Sequence, residues 1–159
     1  MTTPKPNTQD MELAVTGLLN FRVYTIVPNV SWGLGLGHEC DLLALDQQRR
    51  FTEIEIKISK SDLVRDFLKP HGHKSKSISR LIYAVPDHLL EFAKTIIPNE
   101  YGIVSVSYNA RYKKFEAKHI RKKKHRVYIP PHNNLIVKFM SLGCMRIWTL
   151  KEKLKKSKP

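Results

Sequence analysis

The chain has few of the residues that would make it a disulfide-linked, zinc-binding or membrane-spanning protein. Among 159 residues there are only two cysteines, Cys40 and Cys144, and they are too far apart for a C-x-x-C metal motif. No apolar run reaches the roughly 20 residues that a membrane span needs, and the N-terminus lacks the apolar segment of a secretory signal. We therefore expect one soluble domain over residues 1–159, in a reducing, cytoplasmic compartment and without a membrane partner.

Acidic residues are also scarce, and they are unevenly distributed. Fourteen Asp and Glu stand against 28 Lys and Arg, which gives a formal net charge of +14 at pH 7. Such an excess is typical of proteins that bind nucleic acid, and an acidic membrane surface is the lesser alternative. Half of the acids nevertheless fall within residues 39–66. The chain is basic overall and carries one acidic segment.

The hydrophobic pattern predicts an α/β fold, a mixed sheet covered by helices on both faces. Helical spacing predicts four helices, over residues 9–20, 59–68, 87–96 and 134–156. Alternating or continuous apolar runs predict six strands, over residues 21–27, 40–46, 50–58, 80–86, 102–108 and 114–120. On the last helix, Phe139, Met140 and Trp148 have the spacing of core residues.

The run "FTEIEIKI" at residues 51–58 carries charge at alternate positions. Glu53, Glu55 and Lys57 therefore share one face of a strand, which we expect to be solvated. A short hairpin turn would bring Asp41, on the preceding strand, close to Glu55. Two carboxylates and a backbone carbonyl, here that of Ile56, are hard oxygen ligands that suit Mg²⁺ or Mn²⁺. A metal held there beside a lysine could hydrolyse a phosphodiester.

The order of Asp41, then Glu55-x-Lys57 on a hairpin, then a helix resembles the PD-(D/E)XK nuclease superfamily. "CDLLALDQQRRFTEIEIKISKSDLVRDF" and "ISRLIYAVPDHL" are more narrowly similar to the MmcB-like DNA-repair family. The resemblance implies a restriction-endonuclease-like αβββαβ core over residues 9–97 and an extension over 100–153. It also implies an Mg²⁺- or Mn²⁺-dependent deoxyribonuclease, with Asp41 and Glu55 as metal ligands and Lys57 as catalytic lysine. Glu12 is the candidate for an additional acid from the first helix.

Three other polar residues are expected to lie outside this site. Glu53 is predicted at its periphery, Asp66 on the surface near Lys69, and His73 in solvent or on a phosphate. The three glycines of "GLGLG" at residues 33–37 lack the flanking strand and helix of a dinucleotide motif, so a flexible loop beside the site is predicted.

Positive charge is concentrated in the second half of the chain. Residues 111–126 contain nine Lys or Arg and one acid, with aromatic residues nearby. The predicted nucleic-acid contacts are Lys74, Lys76, Arg111, Lys113, Lys114, Arg121, Lys122, Lys123, Lys124 and Arg126. The substrate is expected to be DNA, single- or double-stranded. Two alternative functions stay open: a nuclease-fold module that binds without cutting, and an RNA-binding accessory protein. Assembly as a homodimer also stays open.

Overall fold

The described residues form one six-stranded mixed sheet with helices on both faces. The computed structural model describes residues 4–31, 34–69, 73 and 75–157. The elements are α1 Thr8–Leu19, β1 Thr25–Val30, β2 Cys40–Leu45, β3 Phe51–Ile56, α2 Lys60–Phe67, β4 Ile78–Pro86, a 3-10 turn Asp87–Leu89, α3 Leu90–Ile96, β5 Gly102–Asn109, β6 Lys114–Arg121 and α4 Asn133–Lys156. The predicted mixed α/β architecture is confirmed.

The strands lie in the sheet in the same order as in the chain, from β1 to β6. β1, β2 and β3 form antiparallel pairs, β3, β4 and β5 are parallel, and β6 returns antiparallel to β5. A parallel pair needs a crossover connection, and α2 and α3 belong to the two crossovers. α2 and α3 pack on one face of the sheet and α1 packs on the other, so the central strand β3 is covered on both faces.

The two faces of β3 bury different kinds of side chain. Ile54 and Ile56 pack with Met11 and Val15 of α1 in one apolar cluster. Glu53 and Glu55 point to the opposite face and are 0% and 1% exposed. The predicted apolar face is confirmed, whereas the prediction of a solvated charged face is wrong. A strand between two neighbours, in a sheet with helices on both sides, has no face left for water.

Polar side chains fix where the first two helices begin. Asn7 and Asp10 exchange side-chain-to-backbone hydrogen bonds of 2.9 and 3.0 Å, so Asn7 caps α1. The helix ends at Asn20, whose φ of 62° is left-handed and leads into turns over residues 20–23. This turn explains why β1 begins at Thr25 and not at residue 21. Ser59 caps α2 by accepting the Asp62 N–H at 3.1 Å.

α4 packs on the sheet through its first half, and in its second half the Arg146 guanidinium donates to the Asn29 carbonyl of β1 at 2.9 Å. Phe139 is fully buried and packs edge-to-face on Phe51, with ring centroids 5.1 Å apart. Met140 and Trp148 are 50% and 65% exposed, so they are not core residues as predicted. Every residue of α4 from Cys144 onward is exposed, because the helix extends beyond the sheet.

None of the helices in the described ranges has both the length and the hydrophobicity to cross a bilayer.

Candidate functional site

Six polar side chains meet on the buried face of β3. β3 and the residue after it supply Glu53, Glu55 and Lys57, and α2 supplies Asp66. Two loops add a histidine each. We call this group the buried polar cluster: His38, Glu53, Glu55, Lys57, Asp66 and His73, each at most 9% exposed.

Lys57 is held as a cation by two carboxylates. Its Nζ lies 2.7 Å from Oε2 of Glu55 and 3.0 Å from Oδ1 of Asp66. Burial alone would lower the pKa of Lys57, but Glu55 and Asp66 outweigh burial and raise the pKa above its usual value. The ammonium group is therefore charged and fixed in position.

Glu53 accepts from both histidines of the cluster. Nε2 of His38 and Nδ1 of His73 each lie 2.6 Å from Oε1 of Glu53. Burial would raise the pKa of Glu53, but these two contacts lower it well below its usual value. Glu53 is thus central to the cluster, and its predicted peripheral position is wrong.

Asp66 and His73 are also inside the protein. Asp66 accepts from Nε2 of His73 at 2.8 Å and from the Tyr83 hydroxyl at 2.8 Å. Although burial lowers the pKa of His73, its bonds to Asp66 and Glu53 raise it to about 9. The predictions of a surface Asp66 and a solvent-facing His73 are therefore wrong. Glu53 and Asp66 provide the negative charge that lets the histidine be buried.

The structure brings Glu12, Asp41, Glu55 and Lys57 to one end of the sheet. The antiparallel register that pairs Leu42 with Ile54 puts Asp41 beside Glu55. Oδ2 of Asp41 accepts the Ile56 N–H at 2.6 Å. Burial raises the pKa of Glu55 to about 7, with Lys57 lowering it and Asp41 raising it further.

Glu12 is on α1, which covers the face of the sheet opposite Glu55, and it lies close enough to Asp41 for the two charges to interact. Burial and then the Asp41 charge raise the pKa of Glu12. Burial also raises the pKa of Asp41, against the lowering effects of the Ile56 N–H and Lys57. The charges of Asp41 and Glu55 are opposed by Lys57 and, at Asp41, also by Lys69.

The side chains at this end offer oxygen donors, although Glu12, Asp41 and Glu55 are not together in a set of described residues whose donor atoms lie within 4.8 Å of one another. Oε1 of Glu55 is buried and receives no hydrogen bond from the described residues. Together with the carboxylates of Asp41 and Glu12 it offers oxygen ligands of the kind that Mg²⁺ and Mn²⁺ prefer. Deeper in the cluster, one donor atom from each of His38, Glu53, Glu55 and His73 lies within 4.8 Å of the others. This second set of donor atoms contains both imidazole nitrogens and carboxylate oxygens.

The predicted nucleic-acid contacts fall at two ends of the sheet. Arg111, Lys113 and Lys114 lie at the exposed β5–β6 turn. This turn follows the C-terminal end of β5, the same end as Glu55 of the parallel strand β3. Lys122, Lys123 and Lys124 follow β6 and lead toward the opposite end, where the Arg126 N–H donates to the Ser79 carbonyl.

Two of the predicted contacts also brace loops. The Arg121 guanidinium donates to the carbonyls of Ile97, Pro98 and Tyr101 at 2.9 Å. Arg126 donates to the carbonyls of Ile78, Ser75 and His73 at 2.8, 3.2 and 3.3 Å. Their phosphate contacts stay predictions, as do those of the exposed Lys76 and of Lys74, which lies outside the described residues.

Sequence analysis missed His38 and Arg80. Nothing local marks His38, which follows the glycine-rich loop. Arg80 is a charged residue within the otherwise apolar run of β4, and this interruption was the signal that could have identified it as a functional candidate. Arg80 is half-buried on the α1 side, where it lines a cleft of about 200 Å³ with Arg121, Lys122 and Lys123.

The comparisons with known proteins give one structural neighbour and one family. The structure superposes on the SPO1766 protein of unknown function from Silicibacter pomeroyi with a TM-score of 0.71 and 20% sequence identity. The superposition covers 97% of this chain and 96% of the neighbour, and it shows a shared fold. No curated protein matches the chain. A family model described as "DNA repair protein MmcB-like" matches residues 5–154, nearly the whole sequence. The chain therefore belongs to the MmcB-like family, which suggests a DNA-related role.

Proposed function

We propose that the chain is an Mg²⁺- or Mn²⁺-dependent nuclease of PD-(D/E)XK type that cuts DNA. The observation that carries the proposal is the meeting of Asp41, Glu55 and Lys57 at one end of the sheet. The order α1, β1, β2, β3, α2, β4 supports it, since an αβββαβ core is what the superfamily resemblance implies. The DNA-repair description of the family supports DNA as the substrate.

Each residue of the site has a distinct role in this proposal. Asp41 and Glu55, with the carbonyl of Ile56, would hold the metal, and Glu12 would add a further carboxylate. The bound metal supplies an activated water and neutralises charge on the phosphodiester. Lys57, fixed between Glu55 and Asp66, would orient the water and stabilise negative charge as it develops on phosphorus-bound oxygen.

The second candidate is a nuclease-fold module that binds DNA without cutting it. One observation favours this alternative: the cations and carboxylates of the buried polar cluster already pair with each other and are closed to solvent. A network of that kind could be purely structural.

Cleavage of labelled DNA separates the two candidates. Single-stranded, double-stranded and forked DNA would be incubated with Mg²⁺, Mn²⁺ or EDTA, using wild type, Asp41→Asn and Lys57→Ala. We expect metal-dependent cutting that falls by at least about 100-fold in both variants, because each removes transition-state stabilisation. Both variants should still bind DNA. The matched control is Lys60→Ala, which removes an exposed lysine three residues away.

Two results would contradict the nuclease. Normal cutting by Asp41→Asn and Lys57→Ala would show that the site is elsewhere. Binding without cutting in any of the metals would favour the non-cleaving module.

A further inference from the structure

We infer that His38, Glu53, Glu55 and His73 form a binding site for a borderline divalent cation, with Zn²⁺ as the best fit. One donor atom from each residue lies within 4.8 Å of all the others, and the four residues are buried. This site shares Glu55 with the proposed Mg²⁺ site but does not include Asp41. This inference goes beyond the proposed function, because the site would bind a metal that prefers nitrogen ligands and this binding does not depend on whether the protein cuts DNA.

Both histidines are oriented as metal ligands are. Nδ1 of His38 lies 3.0 Å from the Leu36 carbonyl, and Nε2 of His73 lies 2.8 Å from Oδ2 of Asp66. A metal-bound histidine usually donates its second ring N–H to a carbonyl or carboxylate, which fixes the tautomer and the ring plane. Nε2 of His38 and Nδ1 of His73 both face Glu53, to which they now donate, and a cation bound between them would replace those two protons.

The separation of the two ring nitrogens matches a tetrahedral metal, whereas Oε1 of Glu53, 2.6 Å from each of them, would have to move away to bind the same ion. Nε2 of His38 and Nδ1 of His73 are 3.2 Å apart. Two nitrogens bound tetrahedrally at the usual zinc distance would be about 3.3 Å apart. The ring nitrogens therefore need little movement to share a cation.

Each of the two carboxylates has one buried oxygen that its cationic partners do not reach. Oε2 of Glu53 and Oε1 of Glu55 are buried and receive no hydrogen bond from the described residues. Leaving a carboxylate oxygen buried and unbonded is costly. A cation between the histidines and these oxygens would satisfy both groups at once.

The ligand chemistry selects the metal. Two imidazoles with two carboxylates suit Zn²⁺, whereas Mg²⁺ prefers six oxygens at octahedral geometry. Near the two histidines, Leu34 and Leu36 are buried beside His38, and Arg126 donates to the His73 carbonyl at 3.3 Å.

Metal titration of the full chain tests the inference without reference to cleavage. EDTA-treated protein would be titrated with Zn²⁺ by calorimetry and with Co²⁺ by visible absorption. We expect one ion per chain and the intense d–d bands of tetrahedral Co²⁺. His38→Gln and His73→Gln should each weaken Zn²⁺ binding at least about tenfold. His88→Gln, which changes an exposed histidine, is the matched control and should bind as wild type does.

The outcomes distinguish this site from the proposed nuclease site. Asp41→Asn should keep full Zn²⁺ affinity even though it is expected to lose cleavage. Absence of Zn²⁺ binding in wild type, or the weak bands of octahedral Co²⁺, would overturn the inference and leave the nuclease proposal standing. Should a histidine variant fail to fold, the wild-type Co²⁺ spectrum alone decides.

Discussion

At the scale of single residues, the buried polar cluster depends on Asp66 more than on any other side chain. Four partners reach its carboxylate: Lys57, Lys69, His73 and Tyr83. Burial would raise the pKa of Asp66, but these partners lower it below its usual value. Asp66 is thus an anion that several buried groups share, and it positions Lys57 and His73.

Removing this carboxylate should destabilise the protein strongly. Asp66→Ala removes one of the two carboxylates that pair with each of Lys57 and His73, and loss of one partner from a buried ion pair typically costs about 3–5 kcal/mol. We expect that loss in the free energy of unfolding, measured by urea denaturation followed by circular dichroism. Glu91→Ala, at an exposed acid that also pairs with a lysine, should unfold like wild type. Equal unfolding midpoints for Asp66→Ala and wild type would show that Asp66 does not stabilise the buried polar cluster.

The cluster could not be predicted from single residues for a physical reason. A Glu, Asp or His in a sequence window indicates exposure, because burying one alone is unfavourable. Glu53, Asp66 and His73 are buried because they compensate each other, and they come from elements up to 20 residues apart. One clue was available: β3 lies next to β4, which was predicted as a central strand, so both faces of β3 had to be covered.

At the scale of elements, local patterns predicted the hairpin β2–β3, the helix over residues 59–68 and the two strands over residues 102–108 and 114–120. These features depend on alternation, on turn residues and on helical spacing, all within a few residues. The course of α4 depends instead on where the sheet ends. The apolar spacing of Phe139, Met140 and Trp148 could not distinguish a contact with β1 from exposure beyond it.

Phe139 should supply the largest apolar contact between α4 and the sheet. Phe139→Ala removes the ring that packs on Phe51, and loss of a buried phenylalanine typically costs about 3–5 kcal/mol. We expect a lower melting temperature and faster hydrogen exchange in the first half of α4.

Trp148→Ala is the control on the same helix. The exposed indole contacts Lys151 and no residue of the sheet among its described contacts, so the melting temperature should not change. If both variants melt together, α4 is not held by Phe139.

At the scale of the whole molecule, the positive charge is divided between two ends of the sheet. Among the predicted nucleic-acid contacts that the structure describes, those of the β5–β6 turn share the end that holds Asp41 and Glu55. DNA that reaches the proposed nuclease site should therefore lie against Arg111, Lys113 and Lys114, and not primarily against Lys122, Lys123 and Lys124. The α1-side cleft with Arg80 lies on the face away from Glu55.

Salt dependence of DNA binding distinguishes the two ends. Changing Arg111, Lys113 and Lys114 to Gln together should reduce the slope of log affinity against log salt by about 2 to 3, because up to three phosphate contacts are lost. Changing Lys122, Lys123 and Lys124 to Gln removes the same charge and should reduce the slope less. Fluorescence anisotropy with a labelled oligonucleotide measures both. The reverse ranking would put DNA at the other end and weaken the case for the nuclease site.

The identical order of the strands in the sheet and in the chain has a consequence for folding during synthesis. Each strand pairs with the one made just before it, so no strand has to insert between two that have already paired. Pairing partners close in sequence favour fast folding, and the longest delay is the α2 crossover between β3 and β4. All six members of the buried polar cluster lie within residues 38–73. The cluster can therefore assemble before β5, β6 and α4 are made. Arg126, which is synthesised later, then donates a hydrogen bond to the His73 carbonyl.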